Sequence, residues 1–189
     1  MAIYLKKFEN HTQYESYING SGAILPNVSI CTTEGDVHYN PYVEPIETRV
    51  VAKFNVTDTS NPIQIIGEYA DSPFSAIEID GVVQPSVVSA YTFSTTGEHT
   101  VKYTLTDPTT IGEVAFEGCS SLTSVTIPNS VTSTAYGVFR YCSGMKICTI
   151  GSGVTDIYSN SFKDCYSLTN INIPPNLVSI DSGAFCNCI

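Results

Sequence analysis

Three consecutive segments of 23 residues decide the fold of this chain: FEGCSSLTSVTIPNSVTSTAYGV (116–138), FRYCSGMKICTIGSGVTDIYSNS (139–161) and FKDCYSLTNINIPPNLVSIDSGA (162–184). Each segment begins with phenylalanine and has cysteine at its fourth position, and the same pair recurs at Phe185 and Cys188. Apolar residues recur at other fixed positions, for example at Leu122, Met145 and Leu168. Self-similarity at a fixed period is the signature of a repeat architecture.

The spacing within each segment predicts one short strand and one tight turn. The alternation of Val125-Thr-Ile127 places both apolar side chains inward on a strand, and Pro128 closes it. Phe116 and Cys119 are three residues apart, which suits a single helical turn that packs inward. A unit of 23 residues is too short for the helix pairs of tetratricopeptide or ankyrin arrays, and it suits one coil of a solenoid.

At these residues the chain resembles the BspA-like class of bacterial leucine-rich repeats. The resemblance covers residues 111–189 and rests on three dipeptides in one register, namely Ala-Phe at 115–116 and 184–185, Ile-Pro at 127–128 and 173–174, and Leu-Thr at 122–123 and 168–169. The second segment departs most, since Gly151 stands where proline is expected. The resemblance implies a right-handed solenoid with a parallel sheet on one face, in a family associated mostly with cell surfaces, adhesion and binding.

Composition indicates a globular, β-rich protein and excludes several classes. The 189 residues are 42% hydrophobic and 14% charged, and the charged share is well below the roughly 25% of average soluble domains. A net charge of −10 provides no source for the phosphate neutralisation that drives nucleic-acid binding. No apolar run approaches the roughly 18 residues of a membrane span, and residues 1–13 have no apolar core of a signal peptide. We expect neither a nucleic-acid partner nor membrane insertion.

Upstream of the repeats, residues 45–107 have the pattern of a small antiparallel β-sandwich. Asp80-Gly81 lies between two β-branched runs and predicts a type I′ hairpin, whose two central residues both need positive φ. The segment resembles bacterial immunoglobulin-like surface modules in a general way, without their Cys-Trp-Cys pattern. The strand candidates are residues 50–56, 63–66, 77–79, 82–83, 91–93 and 99–105.

We therefore predict a mainly β chain in which the β-sandwich is joined rigidly to a short leucine-rich-repeat solenoid with 23-residue coils. Residues 1–44 are predicted as a short helix (13–18) plus a hairpin, 45–107 as the immunoglobulin-like part, and 108–189 as three complete coils with partial ends. The strand at 101–105 is placed to serve as the coil before the first repeat and to cap the array. The linker 106–110 is short and stiffened by proline, which indicates a rigid joint.

The cysteine ladder has a plain interpretation, because an inward-facing cysteine behaves as a small hydrophobe. Buried thiols are therefore favoured over disulfides or a metal site, and the histidines all lie outside the repeats. Cys186, two residues from Cys188, is the candidate for oxidation. We expect no metal and no cofactor.

An enzyme would need a nucleophile and a base, and the best candidates are Cys31 and His38. A turn centred on Glu34-Gly35 would set them opposite each other, with Glu34 or Asp36 as the orienting carboxylate. Two ordinary cross-strand residues explain the pattern better. We predict that the protein is not an enzyme, and we keep a Cys-His hydrolase as the weakest alternative.

The candidate binding residues lie on the outward face of the predicted parallel sheet, where hydroxyls and amides could bind a protein strand or a glycan. Exposed tyrosines at 136, 141, 158 and 166 are rival contacts. The predicted binding residues are Ser124, Thr126, Ile147, Thr149, Asn170 and Asn172.

Two functions follow from these patterns. The first is a bacterial surface protein, extracellular or on the cell surface, that adheres to a protein or glycan through the solenoid. The second is a structural subunit of an appendage or a phage-like particle, associated with a virion. It rests on the last strand, near Ile171–Ile173, whose unpaired edge invites self-association. Residues 24–42 also resemble a module of surface and prophage-encoded proteins.

Overall fold

A computed structural model of the chain describes residues 30–31, 37–38, 48–70 and 73–188. The chain divides into two compact units, Met1–Glu47 and Thr48–Ile189. In the first unit, strands β1 (Ile30–Cys31) and β2 (Val37–His38) pair antiparallel, which confirms the predicted hairpin. The helix predicted at residues 13–18 lies outside the described residues. The protein is mainly β, with no helix in the part that the structure describes.

The second unit is built around one sheet of seven strands, in the order β12-β10-β9-β3-β8-β5-β6. Two small sheets, β4–β7 and β11–β13, complete the unit. The strands are β3 (Val50–Val56), β4 (Ile63–Gln64), β5 (Phe74–Ile79), β6 (Val82–Val83), β7 (Ala90–Tyr91), β8 (Gly97–Leu105), β9 (Leu122–Thr126), β10 (Ile147–Thr149), β11 (Asp156–Ile157), β12 (Asn170–Ile171) and β13 (Ser179–Ile180).

The antiparallel part of the large sheet follows from period-two alternation. In β3 every second residue, from Val50 to Val56, is buried, so one face of the strand covers the core and the other meets solvent. The hairpin between β5 and β6 is confirmed, with Ile79 paired to Val82. Asp80 and Gly81 have φ of 47° and 84°, as a type I′ turn requires. The immunoglobulin-like character of this part stays a prediction.

Strand β3 joins the repeats to the antiparallel strands. It pairs antiparallel with β8 on one side and with β9 on the other, where Val51 lies opposite Thr126. The expectation that residues 101–105 form the coil before the first repeat is therefore wrong, because β3 lies between β8 and β9. The edge of β9 needs partners for its N–H and C=O groups, and an antiparallel strand provides them as well as another coil would. The predicted division at residues 107 and 108 lies within this compact unit.

Successive repeats pair in parallel at the 23-residue offset, so Ser124 lies opposite Ile147, which lies opposite Asn170. The phenylalanine rings stack in the same order, with centroid distances of 5.3 Å from Phe116 to Phe139, 5.3 Å from Phe139 to Phe162 and 5.1 Å from Phe162 to Phe185. The sequence period thus appears directly as a spatial ladder of core side chains.

The phenylalanine and cysteine of each repeat lie in a series of tight turns, not in the predicted helical turn. The Cys119 N–H donates to the Phe116 carbonyl at 3.1 Å, a bond between residues three apart. Two positions per repeat have positive φ and prevent a helix from continuing. The first set is Val114, Gly137, Asn160 and Gly183, and the second is Gly118, Tyr141, Asp164 and Asn187.

The cysteine ladder has a hydrogen-bonding role in addition to filling space. The Cys142 thiol donates to the Phe116 carbonyl at 3.0 Å, and the Cys165 thiol donates to the Phe139 carbonyl at 3.1 Å. Cys119, Cys142 and Cys165 are buried free thiols, as predicted, and so is Cys148. Burial raises the pKa of Cys165 to about 12, so this group stays protonated and able to donate.

The antiparallel part covers the first ring of the phenylalanine stack. Phe116 contacts Tyr103 at 5.0 Å and Phe74 at 5.4 Å between ring centroids, and the Tyr103 hydroxyl donates to the Ile65 carbonyl at 2.7 Å. The cap that the repeats were expected to need is therefore provided by these side chains. At the other end of the ladder, Ile173 is 58% exposed, whereas its counterpart Ile127 is 1% exposed.

Candidate binding surface

The outward side of the seven-stranded sheet carries two rows of side chains that cross from the repeats onto the antiparallel strands. Strand register fixes the order in each row, because directly paired residues point to the same face. One row is Asn170, Ile147, Ser124, Lys53 and Thr100, and the other is Thr149, Thr126, Val51, Lys102, Glu78 and Val83. We call these two rows the sheet face.

Five of the six predicted binding residues lie together in the repeat half of the sheet face: Ser124, Thr126, Ile147, Thr149 and Asn170. The pattern is clearest in β10, where Cys148 is buried between two exposed neighbours. Ile147 is 46% exposed although it is aliphatic and lies between the polar Ser124 and Asn170. It is the main apolar contact that this half of the surface offers.

Asn172, the sixth predicted residue, has a structural role that the sequence did not reveal. Its side-chain oxygen accepts a hydrogen bond from the Ile150 N–H at 2.6 Å, and its amide nitrogen donates to the Ile150 carbonyl at 2.8 Å. The side chain thereby satisfies both backbone groups of Ile150, just beyond the end of β10. An alanine at this position would expose two backbone groups, so it would be a poor probe of ligand binding.

The sequence interpretation missed the other half of the sheet face, which comes from strands before the repeats. Val51 and Lys53 on β3 continue the rows of Thr126 and Ser124, and Lys102 on β8 follows Val51. Residues 50–56 were identified as a strand candidate, without an assignment of which side chains face outward. No sequence signal indicated that β3 would pair with β9, and that pairing makes the surface continuous.

Charge is distributed unevenly over the sheet face. The repeat half carries hydroxyl, amide and aliphatic groups, whereas the antiparallel half carries ion pairs. Lys53 Nζ lies 2.7 Å from Glu98 Oε1, and Glu78 binds Arg49 at 2.8 Å with Lys102 Nζ at 4.0 Å. The Lys53–Glu98 pair is exposed, and an exposed pair of this kind contributes little to stability.

A second group of side chains lies at the turns of the second and third repeats, where three exposed tyrosines surround a partly exposed arginine and a buried aspartate. We call Tyr136, Arg140, Tyr141, Asp164 and Tyr166 the tyrosine patch. An Arg140 nitrogen lies 3.3 Å from the Tyr136 hydroxyl, and the guanidinium lies 4.7 Å from the centre of the Tyr141 ring. The Tyr166 hydroxyl donates to an Asp164 carboxylate oxygen at 3.0 Å.

The Asp164 carboxylate organises one side of the tyrosine patch. The Asn187 amide donates to it at 2.6 Å, and this bond, partly opposed by desolvation, lowers the pKa of Asp164. The carboxylate in turn raises the pKa of Tyr166, whose hydroxyl is bound to it as the donor. Both groups are thereby held in one protonation state near neutral pH.

The arrangement predicted for a hydrolase does not form. Cys31 is paired with Val37, and His38 with Ile30, so the expectation that Cys31 and His38 lie opposite each other is wrong by one residue. Within the described residues, no group of histidine, cysteine and acidic side chains is arranged to hold a metal ion. The same residues contain no helix able to cross a membrane.

Comparison with known proteins places the repeats in a family. Residues 86–189, more than half of the chain, match the BspA type leucine-rich repeat region in six copies. The match begins at residue 86, upstream of residue 111, where the resemblance read from the sequence begins. None of the curated proteins compared with the chain matches it.

Two solved structures are similar over about half of the chain. A leucine-rich repeat protein from Bacteroides ovatus is 32% identical, with a TM-score of 0.41, over 51% of this chain and 23% of that one. One from Bacteroides capillosus is 28% identical, with a TM-score of 0.40, over 55% of this chain and 70% of that one. The chain thus spans less than a quarter of the length of the first. Because the family match covers most of the second unit and all of its repeats, the chain belongs to the BspA type leucine-rich repeat family.

Proposed function

We propose that this protein binds another protein through the sheet face. Leucine-rich repeats generally mediate protein binding, and one observation favours this surface: its two rows run without a break across strands from both parts of the second unit. A partner lying across the rows would contact the neutral half and the charged half together. Apolar contacts would then contribute affinity and the ion pairs specificity.

The side chains of the sheet face suit this role. Ile147 is an exposed aliphatic group surrounded by hydroxyls and an amide, which is the composition of an interface core with a polar rim. The strands beneath it are held by continuous backbone pairing and by the phenylalanine stack. A rigid surface loses little conformational entropy on binding.

The proposal extends to adhesion at a bacterial cell surface, with the repeats wound as a right-handed solenoid that presents the sheet face outward. The family match supports it. A glycan remains an alternative ligand. The non-catalytic character of the family agrees with a binding role.

Binding of purified extracellular matrix proteins, immobilised on a sensor surface, tests the proposal. Ile147→Glu should weaken capture at least tenfold, because it places an unpaired charge at the centre of the contact. Lys53→Glu should weaken the same capture although Lys53 lies outside the repeats. Glu113→Lys, a charge change as large as that of Lys53→Glu but of opposite sign, at an exposed turn residue, is the control and should leave capture unchanged. Capture that survives both sheet-face substitutions would contradict the proposal.

Self-association is a second candidate function, favoured by the exposed end of the repeats. Strand β12 pairs only with β10 among the described strands, and Ile173, Val178 and Ile180 are 58%, 81% and 49% exposed. An unpaired edge beside apolar side chains favours strand pairing between copies. Such pairing would suit a structural subunit of an appendage or phage-like particle.

Light scattering coupled to size-exclusion chromatography tests self-association. We expect a dimer fraction that increases with concentration and disappears in Ile173→Lys, whereas Val83→Lys at the opposite edge should leave it unchanged. A monomer at all concentrations would contradict this candidate and leave the sheet-face proposal intact.

A further inference from the structure

We propose that the tyrosine patch is a second binding site, separate from the sheet face, and that it takes a neutral oligosaccharide. The inference rests on three observations: the positive φ of Tyr141, the non-aromatic residues at the equivalent positions of other repeats, and the contacts that hold the tyrosine rings. It does not depend on the sheet face having a ligand.

The first observation is that Tyr141 occupies a conformation that suits other residues better. Its φ is 62°, and the equivalent positions in the other repeats, at 75°, 60° and 60°, are Gly118, Asp164 and Asn187. Glycine, asparagine and aspartate enter the left-handed region with little strain, whereas a bulky residue is uncommon there. Strain of this kind is concentrated at functional sites. The turn of the repeat can therefore form without a tyrosine at this position.

The second observation is that the neighbouring tyrosines are also dispensable for the repeat. The positions equivalent to Tyr136 are Glu113, Ser159 and Ser182, and those equivalent to Tyr166 are Ser120 and Ser143. The core of the repeats needs no aromatic side chain at these places, since its buried rings are those of Phe116, Phe139 and Phe162. The three tyrosines therefore converge on one surface for a reason other than packing of the core.

The third observation is that contacts hold the rings in place before any ligand binds. The Tyr136 hydroxyl lies within hydrogen-bonding distance of Arg140 and Asn160, at 3.3 and 3.2 Å. Tyr141 is held by its N–H bond to the Lys163 carbonyl at 2.9 Å and by the guanidinium against its ring. Tyr166 is held by Asp164. Aromatic side chains that are fixed in advance lose little entropy on binding.

Charge and size indicate the class of ligand. Arg140 is paired with Glu117 at 2.7 Å, and the Asp164 carboxylate is buried and accepts two hydrogen bonds, so neither group presents an unpartnered charge to a ligand. Tyr136, Tyr141 and Tyr166 are 39%, 44% and 51% exposed. With roughly 200 Å² per tyrosine, they offer about 300 Å² of aromatic surface, well short of the roughly 800 Å² per partner of a stable protein interface.

A small, neutral, polar ligand with apolar faces meets these conditions, and an oligosaccharide is such a ligand. The C–H faces of a sugar ring can pack on the tyrosine rings. Its hydroxyls can bind the phenol oxygens and the Asn160 and Asn187 amides, while the buried Asp164 carboxylate fixes Tyr166 and Asn187 from behind. Pockets for small polar ligands combine aromatic walls with a few fixed polar groups in this way.

Binding to a panel of immobilised neutral oligosaccharides, built from glucose, galactose, mannose and N-acetylglucosamine, tests the proposal. We expect at least one member to bind, and Tyr141→Asn to weaken that binding at least tenfold. The same substitution should leave the melting temperature unchanged or higher, because asparagine relieves the strained φ. A purely structural role for Tyr141 would instead lower the melting temperature.

Two controls separate the tyrosine patch from other surfaces. Tyr158→Ala removes an equally exposed tyrosine, at 45%, that does not belong to the tyrosine patch, so binding should be unchanged. Ile147→Glu on the sheet face should also leave sugar binding unchanged. The proposal is overturned if no neutral oligosaccharide binds, if acidic oligosaccharides bind better, or if Tyr158→Ala weakens binding as much as Tyr141→Asn does.

Discussion

Substitution of leucine for phenylalanine at two rungs of the stack gives the sharpest test of how the repeats are stabilised. Phe139 is fully buried between two ring neighbours at 5.3 Å, whereas Phe185 is half-buried and contacts one ring at 5.1 Å. Leucine keeps each site apolar and removes the ring. The two substitutions are chemically identical and differ only in their place along the ladder.

The expected costs follow from the number of ring contacts. A ring pair contributes about 1 kcal/mol beyond its buried area, and repacking a fully buried site with a differently shaped side chain costs about 1 kcal/mol. Phe139→Leu should therefore cost about 3 kcal/mol, from two ring pairs and repacking. Phe185→Leu should cost about 1 kcal/mol, from one ring pair at a site that can adjust. At about 3 °C per kcal/mol for a unit of this size, melting temperature should fall by roughly 9 °C and 3 °C.

Urea unfolding followed by tyrosine fluorescence and circular dichroism provides the measurement, since the chain has 12 tyrosines and no tryptophan. The free energies should be compared at equal slope, so that the change reflects native packing. Equal costs at the two positions would refute the reasoning. If Phe185→Leu cost 3 kcal/mol, its ring would have to be covered on both sides in solution, as self-association would require.

Three further predictions concern the turns and the hairpin. Gly67→Ala should destabilise the second unit by about 3 kcal/mol in urea unfolding, because an added Cβ would lie 2.0 Å from the Val114 carbonyl oxygen. If the variant unfolded at the same urea concentration as the wild type, the backbone at Val114 would have to move aside without cost. Val114→Asn should raise stability by about 1 kcal/mol, since Val114 has φ of 49° where Asn160 occupies an equivalent position at 58°, and a lower melting temperature would mean that valine packing outweighs strain. Burial opposes protonation of His99, but hydrogen bonds to Asp80 at 2.6 Å and to the Thr95 carbonyl at 2.9 Å raise its pKa above the usual 6.5. Its contribution to stability is thus complete below pH 6.5 and is lost as the pH rises through the folded-state value; urea midpoints at pH 5.5 and 8 should show this decrease, and Asp80→Asn should make it smaller.

The repeats were predictable because their signal is redundant. Four phenylalanines and four cysteines at one spacing fix both the length of the unit and the side chains that stack, and the structure confirms the ladder. The thiol hydrogen bonds to phenylalanine carbonyls could not be inferred, since burial alone explains cysteine at these positions. The predicted helical turn failed because bulky residues such as Val114 and Tyr141 carry no sequence signal for the positive φ that they adopt.

The junction was harder to predict, because strand pairing between distant segments leaves no local pattern. Runs of β-branched and aromatic residues identified β3 and β8 as strands, but nothing in Val51 or Thr126 specified that the two would be neighbours. The choice of β3 depends on the whole antiparallel arrangement, including the cap formed by Tyr103 and Phe74. For the same reason only half of the sheet face was identified from the sequence, and Asn172 was assigned to binding although it bonds to Ile150.

The pairing of β3 with β9 fixes the first strand of the repeats against the antiparallel strands, so the distance of every later repeat from β3 is set by the number of strands between them. Parallel strands lie about 4.8 Å apart, so each inserted 23-residue segment would move the strands beyond it away from Lys53 by that step and leave the antiparallel half unchanged. A ligand that contacts both Lys53 and Asn170 would therefore fit only one number of repeats between them. The sheet would then act as a molecular ruler, with repeat number as the adjustable length that matches a partner.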